Sequence, residues 1–581
     1  MTMPRPHLAV VLPPLGLANA ALAVALLTAA PASAQSLPQA DLEKVDRVLR
    51  QQETGEAQNG ALSRHGRAQA EAPLAPVSPP DPFQPAPGGP CFQIRTIVLS
   101  GFEAFAKKPE GYRDLVGRCA TAADIGEALN RVNAHYQKAG YITTRAYVPE
   151  QDLADQALDI VIIPGRIEDY VYADGTPADA RLHAAFPASA GSLLNLRDLE
   201  QGLDNINAPR SAKGKFQLLP GKTPGGSVVQ VLVEDQRPWH ADLTVNNTGF
   251  SSTGETKAAA NIGFDNPAGL NDQLGLSVST TPFDQRGRRY SDAGSLNWSV
   301  PFGASSLGIE LGASAYFFIL PGINQSYPVE GRSLYAALSA EQLILRNRSG
   351  KLYAYGSLKL SGSRSYIDDQ EIESQRRRMT VLSLGIRGQR DLAQGTLTFD
   401  LGARAGLSAF GAHVFDKSSV ETQFRLASLN LGFEHPLARD VLTYKGALTA
   451  QISGDILPST EQINIGGWST VRGFHDDSMY GDTGIYLRNT LVFDAWQGDH
   501  ASLALNAGFD LGYVKPSRLR NWSQDHLIGI SLGADVRIGD HATLSMQIAH
   551  ALSRPDENPP HANPAFEAGR TVGYLGLKTE F

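Results

Sequence analysis

The feature that most constrains the fold is an array of alternating segments that fills the chain from Trp239 to Phe581. In each segment hydrophobic residues occupy every second position, and turns rich in glycine, asparagine and aspartate separate the segments. Between Leu397 and Leu407 the apolar side chains share one parity, whereas Asp400 and Arg404 fall on the other. Because successive side chains of a strand point to opposite faces, each segment has one face suited to lipid and one suited to water.

The length of this array favours a closed membrane barrel over a soluble β-sandwich, which can also show alternation. A membrane barrel must close, since an open edge would leave backbone hydrogen-bonding groups unpaired in lipid. We predict a transmembrane β-barrel of about 16 antiparallel strands over residues 237–581, an even number as is usual for such barrels. The segments begin near Trp239, Lys257, Asp272, Arg289, Ser305, Arg332, Lys351, Arg377, Gly395, Glu421, Asp440, Thr483, Ala501, Asp525, His541 and Gly569.

The N-terminus has the pattern of an export signal. Arg5 precedes the apolar stretch Leu8 to Ala30, and Ala32-Ser33-Ala34 then provides the small residues of a cleavage site. We interpret residues 1–34 as a signal peptide. The alternative is an uncleaved membrane anchor, which Pro13-Pro14 disfavours because it interrupts the apolar run.

Charge and hydropathy exclude two classes of protein. The formal net charge is −8 at pH 7, whereas proteins that bind nucleic acid have basic patches that neutralise phosphates. Beyond residue 35, no apolar run approaches the roughly 18 residues that a helical membrane span needs. We therefore expect neither a nucleic-acid partner nor a helical inner-membrane protein.

Two segments, residues 35–53 and residues 54–90, lie between the predicted signal peptide and the first folded domain. Apolar residues between Leu37 and Gln52 recur at helical spacing with charges between them, which predicts one short amphipathic helix. The segment that follows is rich in proline and poor in hydrophobic residues, so it reads as an extended linker. From the residues alone, the helix could be a tethered functional element or simply a solvated arm.

Over residues 91–236 the sequence pattern predicts a mixture of α-helices and β-strands. The order β-α-β-β occurs twice, which predicts one small domain over residues 91–164 and a second over residues 165–236. Neither contains paired carboxylates, a Cys-His arrangement or a Gly-rich phosphate loop, so both are interpreted as binding modules. The predicted elements are strands at Phe92–Leu99, Tyr141–Val148, Ala157–Ile163, Ile167–Tyr172, Lys215–Leu219 and Val228–Val233, and helices at Ala122–Ala139 and Leu196–Ile206, the latter capped by Asn195.

The two cysteines, Cys91 and Cys119, are the only ones in the chain. After export they would meet an oxidising compartment, which favours a disulfide between them. Two free thiols remain an alternative. A metal site is disfavoured, because two cysteines at this spacing lack companion histidines.

One connection in the barrel, residues 455–482, is too long for a simple turn, and such loops usually have a function. Within it, Arg472 lies between Val471 and Gly473. Asp510 lies on a neighbouring strand with the parity that faces the barrel interior. An Arg472–Asp510 pair is geometrically plausible, and the alternative is two unrelated solvated charges.

Several motifs together resemble the TpsB transporters of two-partner secretion, the ShlB/FhaC/HecB-like haemolysin secretion/activation proteins. In the barrel these are the segment 265–272 (DNPAGLND), Val471-Arg472-Gly473-Phe474, Phe509-Asp510-Leu511-Gly512 and the terminal Phe581. The segment 140–153 (GYITTRAYVPEQDL) looks like part of the first of the family's two POTRA domains. Individually the motifs are short, but their order and spacing cover nearly the whole mature chain.

The resemblance implies an outer-membrane channel of type V secretion in a Gram-negative bacterium, with its POTRA domains in the periplasm. Such a channel recognises an unfolded exported partner of the haemolysin or adhesin class, a TpsA-like protein bound by the POTRA domains, and moves it to the cell surface without nucleotide hydrolysis. The other implied partners are outer-membrane lipid and, during biogenesis, the barrel-assembly machinery. No cofactor is implied.

The resemblance also implies roles for particular residues. In this family the arginine of the long loop points into the lumen and meets an aspartate of the wall. The implied site comprises Val471, Arg472, Gly473 and Phe474 in the loop and Asp510, Phe509 and Gly512 in the wall. Phe581 would be the barrel assembly signal, and the helix of residues 35–53 resembles the family's plug, which occupies the lumen at rest.

Two other functions remain possible at this point. An outer-membrane assembly factor of the wider superfamily usually has more than two POTRA units, and a passive porin has none. Two apparent enzyme motifs fail on context. Gly529-Ile530-Ser531-Leu532-Gly533 lies inside an alternating strand, and Pro220-Gly221-Lys222-Thr223 lacks the first glycine of a phosphate loop. We therefore predict neither catalysis nor a metal site.

The plug hypothesis predicts a change in conductance. Deleting Leu37 to Gln52 should increase ion conductance in planar bilayers without affecting barrel assembly, because the linker separates this helix from every folded unit. A deletion of equal length inside the linker 54–90 is the control. Equal conductance of the helix deletion and the wild type would contradict the plug assignment.

Overall fold

The structure is a computed structural model that describes residues 89–283, 287–321, 325–413, 420–438, 441–475, 478–515, 526–553 and 571–581. The predicted signal peptide, the helix of residues 35–53 and the linker up to residue 88 lie outside the described residues. In the described part, no helix is both long and apolar enough to cross a bilayer.

The first POTRA-like domain packs one helix, α1 (Ala122–Lys138), against a three-stranded sheet. The helix begins with a capping box, in which the Thr121 hydroxyl accepts the Asp124 N–H and the Asp124 carboxylate accepts the Thr121 N–H. Its buried face, which includes Val132 and Tyr136, joins the domain core. The strands are β1 (Cys91–Gln93), β2 (Thr96–Ser100), β3 (Cys119–Thr121), β4 (Arg145–Tyr147) and β5 (Ala157–Ile163).

Two predicted strands of this domain were too long. The segment Phe92–Leu99 is two strands rather than one, because the chain breaks beside the buried Ile94 so that β1 pairs with β3 and β2 pairs with β5. The predicted strand Tyr141–Val148 shrinks to β4. Its first residues form a turn toward the second domain, where the Thr144 hydroxyl accepts the Gly165 N–H at 3.0 Å.

The second POTRA-like domain repeats the arrangement and adds a short helix that the sequence did not predict. Its strands are ordered β6-β8-β7, and its helices pack on one face over a core that includes Leu199 and Val231. The side chain of Asn195 caps the longer helix by accepting the Arg197 N–H at 2.9 Å. The elements are β6 (Arg166–Tyr172), α2 (Ala180–Ala185), α3 (Leu196–Ile206), β7 (Ala212–Pro220) and β8 (Gly226–Asp235).

Among the residues described from Trp239 onward, sixteen long strands form one closed antiparallel barrel, in which the last strand pairs with the first. This confirms the predicted fold class. Apolar residues such as Leu334, Leu532 and Ile548 are exposed on the outer surface, as the alternation predicts. The strands, with the short β16, β21 and β22, are β9 (Trp239–Asn246), β10 (Lys257–Asp265), β11 (Gln273–Thr280), β12 (Arg289–Phe302), β13 (Ser305–Pro321), β14 (Ser326–Asn347), β15 (Gly350–Ile367), β16 (Gln370–Glu371), β17 (Arg377–Leu392), β18 (Gly395–Leu407), β19 (Arg425–Ala438), β20 (Leu442–Ser453), β21 (Ile463–Ile465), β22 (Met479–Gly481), β23 (Thr483–Gln497), β24 (Ala501–Lys515), β25 (His526–Ile538), β26 (Ala542–Ala551) and β27 (Thr571–Glu580).

The largest error in the predicted strand starts is at β14, which begins at Ser326 rather than near Arg332. Proline removes a ladder donor and normally argues against a strand, and Pro328 lies in the missed part. In the structure, Pro328 nevertheless pairs with Ile319 in the β13–β14 ladder. This pair of strands therefore extends beyond the segment that alternation marked.

The turn Pro220-Gly221-Lys222-Thr223 binds a carboxylate of the protein itself, that of Glu168. The carboxylate of Glu168 on β6 accepts the N–H groups of Lys222 and Thr223, each at 2.7 Å, and also the Thr223 hydroxyl. The hydrogen bond from the Thr223 hydroxyl, followed by those from the two N–H groups, lowers the pKa of Glu168. Glu168 thus fastens the β7–β8 hairpin to the edge strand β6.

The lowered pKa of Glu168 predicts that this hairpin loosens in acid, when the carboxylate becomes protonated. A carboxylate with a folded-state pKa below its unfolded value of about 4.3 stabilises the fold above that value. The contribution is lost as pH falls through the folded-state pKa. Glu168→Gln should increase hydrogen exchange of the hairpin amides at pH 7, with the exposed Glu110→Gln as control. Equal exchange in the two variants would contradict this role.

Cys91 and Cys119 are joined by a disulfide in the structure, with their Cα atoms 5.3 Å apart. The bond links the neighbouring strands β1 and β3, in which Cys91 pairs with Thr121 and Cys119 pairs with Gln93. It therefore fastens the start of the domain to the strand that leads into α1.

Replacing both cysteines by serine should destabilise the first domain, because the unfolded chain would no longer be constrained by the closed loop. Chain-entropy arithmetic gives roughly 3 to 4 kcal/mol for a loop of this size. Limited proteolysis of the purified transporter should show faster cleavage within residues 91–164 and unchanged resistance of the barrel. Mass spectrometry of unreduced peptides is the direct check, and two free thiols in protein from the outer membrane would contradict the bond.

Candidate functional site

The long connection between β20 and β23 folds back on itself and packs against the inner wall of the barrel. Its short strands β21 and β22 pair as a hairpin. Near its start, Leu457 is buried against a cluster that includes Val381 on β17 and Leu426 on β19. The described part of the segment predicted to run inward, residues 455–475 and 478–482, is therefore a folded element rather than a surface loop.

Arg472 binds Asp510 through two parallel hydrogen bonds. Arg472 Nε donates to Asp510 Oδ2 and Nη2 donates to Oδ1, both at 2.6 Å. The backbone N–H of Arg472 also donates to Oδ2 at 3.1 Å, and Nη2 has a second acceptor in the Asn489 carbonyl at 2.8 Å. The structure thus brings together the two charged residues that the sequence singled out.

The pair is almost completely withdrawn from water, with side-chain exposures of 1% for Arg472 and 0% for Asp510. Planar bidentate pairing suits arginine, because its fixed fork matches the geometry of a carboxylate. Removing one partner of a buried pair leaves an uncompensated charge, which typically destabilises a protein by about 3 to 5 kcal/mol. Loss of either Arg472 or Asp510 alone is therefore expected to destabilise the position of the loop.

Glycines in the wall make room for this contact. A Cβ atom at Gly508 would lie 2.3 Å from Arg472 Nη2, and one at Gly529 would lie 1.9 Å from the Arg472 carbonyl oxygen. One at Gly512 would lie 2.8 Å from Val471 Cγ2. Any side chain at these positions would push the loop away from the wall.

Gly473 lets the chain turn directly after the arginine. Its φ angle of +102° lies in the region that favours glycine. A Cβ atom there would also lie 2.7 Å from the carbonyl carbon of His550 on β26. Glycine is therefore required at this position both for backbone conformation and for close approach to the wall.

Apolar packing supports the polar contact. Val471 and Phe474, on either side of Arg472 and Gly473, are buried in a cluster formed by the hairpin and strands β24 to β26. Besides these two residues, the cluster contains Ile463, Ile465, Met479, Val514, Leu527 and Ala551. All four residues of the predicted loop motif therefore contact the inner wall or pack within this cluster.

A second ion pair ties the base of the hairpin to the wall. Arg404 Nη1 on β18 lies 3.1 Å from Glu461 Oε2. Nearby, Arg377 Nη1 on β17 donates to the Ser459 hydroxyl at 3.0 Å. These contacts hold the base of the hairpin, and the Arg472–Asp510 pair holds its tip between β21 and β22.

One predicted wall residue faces the other way. Phe509 is next to Asp510 in the sequence, but its side chain lies on the outer, lipid-facing surface, because neighbours in a strand point to opposite faces. Its carbonyl still contributes by accepting the Asn489 side-chain amide at 2.7 Å. Gly512, by contrast, lies directly beneath Val471.

The terminal Phe581 lies at the closing seam of the barrel. Its N–H donates to the Ala241 carbonyl at 2.8 Å and its carbonyl accepts the Ala241 N–H at 3.3 Å, which extends the β27–β9 ladder by one pair. The ring is exposed on the outer surface. The residue therefore completes the strand whose pairing closes the barrel.

Sequence reasoning missed Gly508, Gly529 and Arg488. Arg488 donates from Nη1 to the Ser469 carbonyl at 3.2 Å and so binds the loop from β23. The sequence did contain one indication of the loop contact: Gly508 and Gly512 lie two residues before and after Asp510 and face the same side of the strand. Glycines in such positions indicate that another segment approaches closely. In the sequence, Gly529 stood out only as the first residue of an apparent enzyme motif. In the structure, its lack of a side chain is explained by the close approach of the Arg472 carbonyl oxygen.

Comparison with known families matches most of the described chain, from residue 92 to residue 536. Residues 225–536 match the haemolysin secretion/activation protein family ShlB/FhaC/HecB. Residues 92–165 match the ShlB-type POTRA domain, and residues 166–220 match a further POTRA domain. These matches cover both small domains and most of the barrel.

Individual relatives agree with the family match. The outer membrane transporter CdiB of Dickeya dadantii is 32% identical over 70% of this chain and 74% of its own length. The hemolysin transporter protein ShlB of Serratia marcescens is 27% identical over 77% of this chain and 80% of its own length. The solved structure of CdiB from Escherichia coli is 25% identical, covers 94% of this chain and 100% of that chain, and superposes with a TM-score of 0.78. The chain therefore belongs to the ShlB/FhaC/HecB family of haemolysin secretion/activation proteins, as the sequence motifs predicted.

Proposed function

We propose that this chain is the outer-membrane channel of a two-partner secretion system and moves one unfolded exported protein to the cell surface. Its homologues are outer membrane transporters, and the barrel with its POTRA domains is consistent with that location. The observation that supports the proposal most directly is the folded loop held on the inner wall by Arg472 and Asp510. A passive porin needs no such anchored element together with two periplasmic binding domains.

The cargo is expected to be a TpsA-like protein of the haemolysin or adhesin class, bound by the POTRA domains. An unfolded polypeptide can bind such domains by adding a strand to a sheet edge. In the first domain β2 pairs only with β5 among the described strands, and Val98 on β2 is exposed. This edge offers main-chain hydrogen bonds and an apolar contact to an extended chain.

Translocation would then require no nucleotide. The polypeptide would pass through the lumen in an extended form, and its folding outside the cell would oppose its return. The anchored loop lies against the inner face of β23 to β26 and also contacts β17 to β19, so a passing chain must go around it or displace it. Outer-membrane lipid and the barrel-assembly machinery are the remaining expected partners, with Phe581 at the strand end as the expected assembly signal.

The experiment that tests this function uses the neighbouring reading frame. If it encodes a large exported protein, co-expression with this chain should bring that protein to the cell surface, and expression without the chain should leave it in the periplasm. A general loss of other barrels on depletion of the chain would instead support an outer-membrane assembly factor. Flux of small solutes without any exported partner would support a porin.

Loss of either charge at the loop anchor should impair secretion more than assembly. Arg472→Ala or Asp510→Ala removes one partner of a buried pair, so the loop loses its anchor while the strand ladder of the barrel persists. We expect partner secretion to fall at least about tenfold, which corresponds to about 1.4 kcal/mol. The barrel should still be recovered from the outer membrane in a heat-modifiable form.

The matched control is Arg537→Ala, which removes an exposed arginine from β25 at a distance from the loop motif along the strand. This variant should secrete at the wild-type level. Equal loss of secretion and of assembled barrel in the Arg472 variant would show that the pair is needed for folding and not for transport.

A further inference from the structure

The second POTRA domain is fastened to one rim of the barrel at three successive turns. This rim, here called the periplasmic rim, comprises the turns β10–β11, β12–β13 and β14–β15. Domains within one chain usually move relative to one another unless their interface is extensive and specific. The contacts at these three turns therefore decide whether the domain can swing away from the barrel.

At the β10–β11 turn, Arg181 on α2 connects the domain to the barrel. Its guanidinium forms a bidentate pair with Asp235 of its own domain, at 2.7 and 2.8 Å. Its Nε donates to Asn271 Oδ1 at 2.8 Å, while Asn271 Nδ2 donates to the Arg181 carbonyl at 3.0 Å. Arg181 is buried, and its hydrogen bond to Asp235, together with the charge of that carboxylate, raises its pKa.

At the β12–β13 turn, the backbone of Gly303 inserts into the domain. Its N–H donates to the Ala184 carbonyl and its carbonyl accepts the Asn205 side-chain amide, both at 2.7 Å. Gly303 has a φ angle of +58°, and a Cβ atom there would lie 2.9 Å from the Cα atom of Pro187. Both backbone groups of Gly303 are therefore satisfied by the domain.

At the β14–β15 turn, Arg346 contacts the acidic face of α3. Its Nε lies 3.3 Å from Glu200 Oε2, and Nη1 donates to Gln201 Oε1 at 3.0 Å and also to Asp204. Lys351 forms a further ion pair with Asp204. The Arg346 side chain is 10% exposed and that of Asp204 is 16% exposed, so separating them would leave charges to be rehydrated on both sides.

From these contacts we propose that the second POTRA domain stays docked on the periplasmic rim during translocation, with Arg181, Asn205 and Arg346 as positioning residues. Three contacts spread along an arc of strands fix both the distance and the rotation of the domain. The inference rests on the proposed function, and adds that cargo is always presented to the sector of the barrel mouth formed by β10 to β15. Any movement that admits cargo then occurs elsewhere in the transporter.

A covalent lock tests whether the domain must leave the rim. The Ser211 N–H donates to Asp265 Oδ2 at 2.9 Å, so residues 211 and 265 are in direct contact, and cysteines at the two positions can be joined by a short bis-methanethiosulfonate linker that reductant cleaves. In the full-length transporter with Ser211→Cys and Asp265→Cys, the linker should join the two peptides, as seen by mass spectrometry of unreduced peptides. Labelling of both cysteines without any joined peptide would overturn the docked arrangement, and this readout does not depend on secretion.

The locked transporter should secrete its partner within about twofold of the same variant under reducing conditions, because the proposal requires no movement at this interface. Wild type with and without reductant controls for the native disulfide. Secretion that stops in the locked form and returns on reduction would overturn the proposal. If the wild type itself secretes nothing, the proposed function fails, whereas the crosslinking readout still reports on docking.

A charge reversal tests the positioning role of Arg346. Arg346→Glu places a third carboxylate beside Glu200 and Asp204, and should lower secretion at least about fivefold with the barrel still assembled. Adding the cysteine lock to this variant should restore secretion, since the lock replaces the lost contact. Arg332→Glu, at an exposed position on the same strand, is the matched control. Failure of the lock to restore secretion would overturn the positioning role.

Discussion

The ion pair between Arg472 and Asp510 is the interaction on which the inward position of the long loop depends. A guanidinium withdrawn from water must find its hydrogen-bond acceptors within the protein, and here a carboxylate and the Asn489 carbonyl supply them. The carboxylate in turn accepts backbone N–H groups from Arg472 and Asn489. Because each charge satisfies the other, the loop can leave the wall only if both are rehydrated or find new partners. The ion pair therefore adds to the free energy that the apolar cluster and the contacts at the base of the hairpin already require for moving the loop.

The wall is shaped for this contact at the expense of ordinary strand packing. Glycine weakens a strand, yet Gly508, Gly512 and Gly529 all lie where a side chain would strike the loop. The periplasmic side uses related chemistry, because buried arginines again meet carboxylates and a glycine turn, Gly303, again enters a tight space. In both places a surface of the barrel is matched to one particular neighbour. The resulting transporter has a fixed scaffold at its base and one anchored element inside its lumen.

Much of the architecture could be predicted, because it depends on local patterns. Alternation marked the barrel strands, and helical spacing with Asn195 as a cap placed α3 at its observed bounds. The short helix α2 escaped, since six residues provide too little periodicity. In the site, parity correctly oriented Asp510, whereas Phe509 was included only because it neighbours Asp510 in the family motif. The contacts of Gly529 and Arg346 could not be predicted, because they join elements distant in the sequence whose approach is set by barrel closure and domain docking.

The most direct measurement of the central claim is a double-mutant cycle on secretion, with Arg472→Ala and Asp510→Ala made singly and together. Two residues in contact should give a non-additive result, whereas residues that act separately should add. If the ion pair holds the loop, the double variant should lose little more secretion than either single variant. A loss in the double variant equal to the sum of the single losses, each expressed as a free energy, would show that the two residues do not act as a pair.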